Sequence, residues 1–398
     1  MKRILFVLDT LGSGGAQKSL VNYLAAFSEA GYDAQVDLLL FSSRGLFINQ
    51  VPDSVHRLKP AKEISCMFES LNSVEYWTNL SIKGFLGKVF RLLSNPLIEL
   101  CRPDLNDVQR LWMSWRYFIP NMKGSYDLAV GCLEGTCNYY VIDKVDAKRK
   151  ILWFHSNYDD HGYNSTFDRS FFLAADRVAT ISDECLASLT DAFPDMQDKF
   201  IKLENITSAS LIRRKANEFA PDAYTEGALN LLTVGRLMPV KGYDLLIEAA
   251  VILKELNYNF VWRCIGEGDL FESLSELIES RGLKKNVLLL GPRENPYPYM
   301  SACDVFVQTS RYEGKSIVVD EAKILCKPII ITNYATAQDA IDSEVNGLIC
   351  EMTPEGIARS IGRLWLDQEL RQRFVSQLST GQSDVGSTIE EYAEAYDI

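Results

Sequence analysis

Two glutamates in this chain stand at a spacing that could do chemistry. Glu313 and Glu321 lie eight residues apart, one in the loop Ser310-Arg311-Tyr312-Glu313-Gly314-Lys315-Ser316 and one in the helix-like run that follows it, 317–325. The apolar stretch Val305–Gln308 reads as a strand ending just before the loop. Cys326-Lys327-Pro328 stops the helix, and Ile329–Thr332 reads as the next strand. Parallel sheets hold ligands at the carboxyl ends of their strands. A helix that starts there adds free N–H groups and the positive end of its dipole, which suit an anion. One carboxylate can then reach the reacting end of a ligand and the other its far end. A carboxylate also suits a diol, because it accepts from two adjacent hydroxyls. The plain alternative is a pair of solvated surface glutamates.

A second charged set lies in Gly235-Arg236-Leu237-Met238-Pro239-Val240-Lys241-Gly242, between the strand-like run Leu229–Val234 and a helix over 243–256. Arg236 and Lys241 at one strand end suit a pyrophosphate, and the glycines let the backbone come close. A solvated loop is the alternative. The third set is the turn Gly12-Ser13-Gly14-Gly15. A dinucleotide fingerprint would need glycine or alanine where Gln17 stands and an acidic residue near Phe41-Ser42, so NAD binding is poorly supported. Gly314-Lys315-Ser316 ends like a P-loop, but Thr309 replaces the first glycine. His155 closes the strand-like run 150–155 and is either a ligand contact or a satisfied structural group. No D-x-D, H-E-x-x-H or Cys/His cluster occurs, so no dedicated metal site is expected.

The elements that must carry these loops follow from the apolar pattern. Residues 4–8 form a short buried strand, 16–30 a helix with Leu20, Val21, Leu24 and Phe27 at helical spacing, and 36–41 a second strand. That βαβ opening implies a parallel sheet. Strands continue at 126–131, 150–155, 178–181 and 200–203. Residues 205–224 are polar, contain Pro221 and read as an irregular interdomain linker. A second series of strands then runs through Leu229–Val234, Phe260–Ile265, 287–290, Val305–Gln308 and Ile329–Thr332. The expected fold class is α/β, with two doubly wound, Rossmann-like domains. The first spans 1–206 with a helical insertion at about 61–122, and the second spans 207–378. A helical tail, 379–398, is expected to return to the first domain.

Composition narrows the partners. The 398 residues carry a net charge of −12, which excludes the basic surface that nucleic-acid binding needs. Nine cysteines without a C-x-x-C read as reduced thiols in a cytoplasmic protein. The apolar run after Met-Lys-Arg ends at Asp9, too short for a signal peptide, and no stretch approaches a membrane span. The insertion stands out. From Tyr76 to Lys123 seven basic residues face three acidic ones, and Leu86, Val89, Phe90, Leu93 and Leu97 recur at helical spacing with Lys88 and Arg91 between them. Tyr76, Trp77, Phe85, Trp112, Trp115, Tyr117 and Phe118 add aromatic surface. Such a helix either lies on an anionic membrane at the inner face of the cell membrane or packs its apolar face on the first domain's own sheet.

Together these motifs resemble GT-B glycosyltransferases of family 4, the group-1 retaining transferases. The likeness rests on Glu313-Gly-Lys-Ser-Ile-Val-Val-Asp-Glu321 as E-x7-E, on Gly235-Arg236 with Lys241-Gly242, on Gly14-Gly15-Ala16, on Trp153-Phe154-His155-Ser156, and on Asn346-Gly347. The loop also resembles those of enzymes that build bacterial capsule and O-antigen repeats. The resemblance implies two domains facing across a cleft, with the acceptor bound by the first and a nucleotide-sugar donor, such as a UDP- or GDP-sugar, by the second. It implies that Arg236 and Lys241 hold the donor pyrophosphate, Glu321 binds the ribose and Glu313 lies by the sugar. The backbone at Gly15, Gly314, Lys315, Ser316 and Ile317 would contact phosphate and sugar, and His155 the sugar side. It further implies retention, no cofactor, no required metal, and a glycan or lipid-linked sugar as acceptor. Gln17 and Lys315-Ser316 depart from the common family residues at their positions and leave the sugar open. A sugar-nucleotide epimerase and a silent subunit stabilising a partner transferase are the other readings of the same motifs.

Overall fold

Lys2–Leu8 (β1) is a nearly unbroken apolar run because it is covered on both faces. Ile4, Phe6 and Leu8 enter one core layer, while Leu5 and Val7 enter the opposite one. The computed structural model describes residues 1–12, 14–42, 44–68, 80–207, 209–221, 224, 227–380 and 388–398. The chain forms two compact units, Met1–Ile206 with Ser387–Ile398, and Thr207–Gly386.

In the first unit β1 is followed by α1 (Gly15–Ala30), β2 (Ala34–Leu40), β3 (His56–Leu58), α2 (Lys62–Phe68), α3 (Ile82–Cys101), α4 (Asp107–Trp115), β4 (Ser125–Gly131), α5 (Thr136–Lys144), β5 (Asp146–Phe154), α6 (Ser165–Ala174), β6 (Arg177–Thr180), α7 (Asp183–Ala192) and β7 (Phe200–Lys202). The sheet order is β3-β2-β1-β4-β5-β6-β7 and every pairing is parallel. Ile4 sits opposite Val36 of β2 and Leu128 of β4, so strand order reverses at β1. The turn after β1 therefore opens at a topological switch. On one face, Leu20, Val21, Leu24 and Phe27 of α1 pack on the sheet, and on the other Trp112, Trp115, Tyr139 and Tyr140 do.

The second unit contains α8 (Ala209–Ala216), β8 (Leu229–Val234), α9 (Tyr243–Glu255), β9 (Phe260–Ile265), α10 (Phe271–Ser280), β10 (Val287–Gly291), α11 (Tyr297–Ala302), β11 (Val305–Gln308), α12 (Ile317–Ile324), β12 (Ile329–Thr332), α13 (Ala337–Ala340), β13 (Gly347–Cys350), α14 (Pro354–Leu366) and α15 (Gln368–Thr380). Its sheet, β10-β9-β8-β11-β12-β13, is again parallel, and order reverses between β8 and β11. The last helix, α16 (Ile389–Tyr396), belongs to the first unit. There the Trp153 indole donates to the Tyr396 hydroxyl at 2.8 Å, and the Tyr392 hydroxyl to the Glu204 carbonyl at 3.0 Å.

Three expectations are corrected. The stretch read as irregular linker holds α8, whose Ala209, Ile212 and Ala216 pack against Tyr297 and Ile324; its apolar stripe is short and hidden among Arg213, Arg214 and Lys215. The edge strands β3 and β13, of three and four residues, are too short to leave an apolar run. The insertion is helical, but the apolar side of α3 does not pack on the sheet: Leu86, Phe90, Leu93 and Leu97 are exposed. Tyr76 and Trp77 of that segment lie outside the described residues.

Candidate active site

The switch point of the second sheet brings two loops together. One runs from the end of β8 through Arg236 to Lys241, and the other from the end of β11 to Ser316. Pro239–Lys241 forms a single 3-10 turn that Gly242 ends at φ 64°. A Cβ at Gly242 would stand 2.1 Å from the Thr309 carbonyl oxygen, so only glycine allows the two loops to meet so closely. The Thr309 hydroxyl donates to the Lys241 carbonyl at 3.0 Å, and the Arg311 N–H to the Val240 carbonyl at 2.7 Å. Arg311 also grips Asp244 of α9 through two bonds of 2.8 and 2.6 Å, which holds that carboxyl below its ordinary range.

This stitching places Lys241 on Glu313, with Nζ to Oε1 at 2.6 Å. The same oxygen accepts from Gln308 Nε2 at 2.9 Å and from the Ser310 hydroxyl at 2.6 Å. The Thr336 hydroxyl donates to the Glu313 carbonyl at 2.7 Å. Three donors on one carboxylate oxygen fix both the glutamate and the lysine. Arg236 is exposed, and its guanidinium has no hydrogen-bond or ion-pair partner among the described residues. It is the cation there that is ready for an incoming anion.

The start of α12 completes the cluster. Its N-cap is Ser316, whose hydroxyl makes no cap bond and accepts instead from Gln308 Nε2 at 2.8 Å. The Ser316 carbonyl accepts from the Val319 and Asp320 N–H groups at 3.1 and 3.3 Å, so the N–H groups at Ile317 and Val318 precede the helix's own ladder. Glu321, one turn further, is only 2 % exposed, and its Oε1 accepts from the Tyr297 hydroxyl at 2.6 Å. Burial, then the adjacent carboxylate, drive the Tyr297 phenol well above its ordinary pKa, so the phenol stays a donor. Lys215 of α8 lies within electrostatic reach of Glu321; burial holds its pKa below the ordinary value, opposed by Glu218 and more weakly by Glu321.

In the first unit, Gly15 opens α1. Gly14 caps that helix in extended conformation with no side-chain bond, and the first ladder bond is Lys18 N–H to the Gly14 carbonyl. The Gln17 amide lies back against Asp9, whose carboxyl is raised by burial and lowered in part by the Thr10 N–H. His155 stacks on Trp153 at 5.1 Å with 17° between planes. Its Nε2 faces the Cys132 carbonyl at 3.1 Å. A carbonyl only accepts, so Nε2 is assigned the proton and Nδ1 carries the lone pair of the neutral ring. Burial lowers the His155 pKa, against the pull of Glu134, and keeps the ring neutral at pH 7. Glu134 in turn accepts the His155 backbone N–H at 3.1 Å and the Ser156 hydroxyl at 2.9 Å.

The structure thus joins Lys241, Glu313 and Ser316 in one hydrogen-bonded group, with Arg236, Gly314, Lys315 and Ile317 in the same two loops. Glu321 belongs to a separate buried pair with Tyr297, and Gly15 and His155 belong to the first unit. Sequence reasoning missed Gln308, Ser310, Thr336, Tyr297, Lys215 and Glu134. Gln308 and Ser310 were within reach, being polar residues at a strand end next to the chosen glutamate. Tyr297 and Lys215 are distant in sequence from the glutamate they approach and left no local signal.

Comparison with known proteins bears on the family and the fold. Residues 215–378 match the family described as glycosyl transferases group 1. Over 383 residues the chain is 24 % identical to the N-acetylgalactosamine-N,N'-diacetylbacillosaminyl-diphospho-undecaprenol 4-alpha-N-acetylgalactosaminyltransferase of Campylobacter jejuni, covering 96 % of this chain and 94 % of that protein. It is 28 % identical over 200 residues to the poly(ribitol-phosphate) alpha-N-acetylglucosaminyltransferase of Staphylococcus aureus, covering 50 % of this chain and 38 % of that one. Among solved structures, Anabaena Alr3699/HepE in complex with UDP and glucose aligns over 100 % of both chains with a TM-score of 0.71 at 17 % identity, a likeness of fold. None of these three is named as an epimerase or a silent subunit. The second unit thus carries a match to the glycosyl transferases group 1 family, and the two parallel α/β units have the GT-B fold of the solved structures they resemble.

Proposed function

We propose that the chain moves a sugar from a nucleotide-sugar donor, such as a UDP- or GDP-sugar, to a glycan or lipid-linked sugar acceptor during bacterial surface polysaccharide synthesis. The observation that carries this reading is the Lys241–Glu313 cluster beside the open start of α12 and Arg236, unpartnered among the described residues. Arg236, Lys241 and the N–H groups from Gly314 to Ile317 receive the donor diphosphate. As the bond from the anomeric carbon to the diphosphate breaks, negative charge grows on the leaving oxygen, and fixed cations stabilise it without a metal. Glu313, held by three donors, keeps Lys241 aimed at that oxygen and accepts from the donor sugar. Glu321 accepts from the ribose. Within the first unit, the Gly15 backbone suits a phosphate and His155 Nδ1 is free to accept from a sugar hydroxyl.

Retention of configuration is part of the proposal. Two of the relatives are named for alpha linkages, and UDP-hexose donors carry the alpha anomer, so alpha product from alpha donor is retention. Among the described residues of this cluster no second carboxylate stands free to act as a nucleophile, which favours attack by the acceptor hydroxyl on the face the diphosphate leaves, with its proton passing to the departing phosphate oxygen. The Campylobacter relative is named for an undecaprenol-linked acceptor, which supports a lipid-linked acceptor here, met by peripheral contact with an anionic membrane at the cytoplasmic face. Proton NMR of the product formed in excess chelator tests the scheme. An alpha anomeric signal without added metal is expected. A beta product overturns retention, and an absolute need for Mg²⁺ or Mn²⁺ overturns the electrostatics.

A further inference from the structure

Helix α3 is built inside out for a water-soluble surface. Ile82, Leu86, Leu93, Leu97 and Leu100 follow at helical spacing along one face, and they are 82, 50, 71, 63 and 78 % exposed. Leu92 beside them is 73 % exposed. The side turned to the protein carries the helix's buried glycines, Gly84 and Gly87. A Cβ at Gly84 would stand 2.7 Å from Cys66 Cβ, and one at Gly87 2.5 Å from Met67 Cε. The two glycines thus let α3 settle on α2 through its backbone, which among the described residues leaves the leucines no protein surface to cover. Arg91 lies on the protein side as well, its guanidinium 5.2 Å from the Trp115 ring centre. A surface helix ordinarily buries its apolar stripe and wets its charges. An uncovered apolar stripe of this length marks a docking surface.

Charge chooses the occupant. Lys83 is exposed on the flank of the stripe, and both it and Arg116 act on Lys144. Burial, and then the like charges of Arg116 and Lys83 against the opposing Asp143, hold the Lys144 pKa below its ordinary value. Arg116 is ion-paired with Asp143 at 3.3 Å, so the three cations and one carboxylate leave a net charge of about +2 on a chain whose total is −12. A second copy docking face to face would bring cluster against cluster. Anionic headgroups complement it, and their acyl region receives the leucines. At 1.5 Å per residue the 20 residues of α3 reach about 30 Å, and no described helix is long and apolar enough to cross a membrane, so the helix lies along the surface.

We infer that the outward face of α3, with Lys83, Arg116 and Lys144 at its edge, docks on an anionic lipid bilayer. The inference deepens the lipid-linked-acceptor reading and rests on it for its purpose, since such an acceptor stays in the membrane and the enzyme must come to it. The test is flotation of the full chain with phosphatidylglycerol vesicles and with phosphatidylcholine vesicles, beside UDP titration calorimetry and size-exclusion chromatography. Wild type is expected to partition at least tenfold more onto the anionic vesicles. Leu86→Ser/Leu93→Ser/Leu97→Ser and, separately, Lys83→Glu/Arg116→Glu should each lose at least tenfold of that binding, with circular dichroism and UDP affinity within twofold of wild type. Wild type failing to float on anionic vesicles overturns the docking, as does a leucine variant that floats like wild type. A wild-type dimer that the leucine substitutions make monomeric gives the face to a second copy and also overturns it. Vesicle binding that survives while no nucleotide sugar is turned over refutes the proposed function and leaves the docking standing.

Discussion

Replacing Glu313 by glutamine separates the two jobs its carboxylate does. The side chain keeps its shape and an accepting oxygen, so Gln308 and Ser310, now 2.9 and 2.6 Å away, still have a partner. What disappears is the charge opposite Lys241 at 2.6 Å. A hydrogen bond to an ionised group contributes about 1.5–3 kcal/mol and a neutral one about 0.5–1.5 kcal/mol, so the Lys241 contact weakens by about 1–2 kcal/mol. Lys241 is 23 % exposed and Glu313 11 %, and the water at the lysine trims the loss toward the lower end. The expected destabilisation of the second unit is therefore about 1 kcal/mol, small enough to leave it folded. The freed ammonium no longer shares its charge with a carboxylate, so a nucleoside diphosphate should bind as tightly as before or up to about tenfold tighter, the equivalent of about 1.4 kcal/mol. Turnover should fall by at least about 100-fold, because Lys241 loses its aim and the sugar loses an acceptor. UDP and GDP titration by calorimetry, with single-turnover donor consumption, reads both. Diphosphate affinity falling tenfold or more in Glu313→Gln would refute the view that this glutamate restrains the lysine rather than binding the diphosphate.

Other residues give independent checks. Glu321→Gln should weaken UDP binding by about 1–2 kcal/mol, roughly 5–30-fold, because a ribose diol loses its charged acceptor; unchanged affinity by calorimetry removes the ribose assignment. His155 has a native pKa below its ordinary value of 6.5, so between the two values the unfolded chain holds a proton that the native chain lacks. Stability should then fall as pH drops below about 6.5, by at most about 1.4 kcal/mol per pH unit, and His155→Gln should flatten that slope in melts between pH 5 and 7.5. Parallel slopes for both proteins contradict the assignment of a neutral ring. Buried Asp168 accepts from Tyr139 at 2.6 Å, Tyr158 at 2.8 Å and Gln109 at 2.9 Å. Asp168→Asn turns an amide donor toward one of these donors and should destabilise the first unit by about 1–3 kcal/mol in urea unfolding, while a stability equal to wild type would mean that the network rearranges freely.

How much of this was legible in the sequence depends on where each element keeps its information. The central strands β1, β8, β9, β11 and β12 are covered on both faces and so write themselves as largely apolar runs, broken internally by Asn230 and Thr233 in β8 and by Arg263 in β9. The loops after β8 and β11 announce themselves through Gly235-Arg236, Lys241-Gly242 and the eight-residue interval from Glu313 to Glu321. Their contact could not be read locally, because Lys241 and Glu313 are 72 positions apart and meet only when β8 and β11 become neighbours. The same limit hid the Tyr297 hydroxyl on Glu321. Helix α8 escaped because three basic residues mask an apolar stripe of three small or medium side chains. For α3 the period of the stripe was legible but not which side faces in. Gly84 and Gly87 on the opposite side were the available signal, since two glycines on one helix face permit close backbone approach.

The central claim is that the cluster built on Lys241 and Glu313 handles the diphosphate of a sugar donor. Its most direct measurement is acceptor-dependent release of nucleoside diphosphate, screened over UDP- and GDP-sugars with a polyprenyl-diphosphate-linked sugar present or absent, for wild type and Lys241→Ala. One donor should release its nucleotide only when acceptor is present, and Lys241→Ala should lose at least about 100-fold in turnover while nucleotide affinity changes by less than about tenfold. Release from wild type without acceptor, or full turnover by Lys241→Ala, would contradict the account.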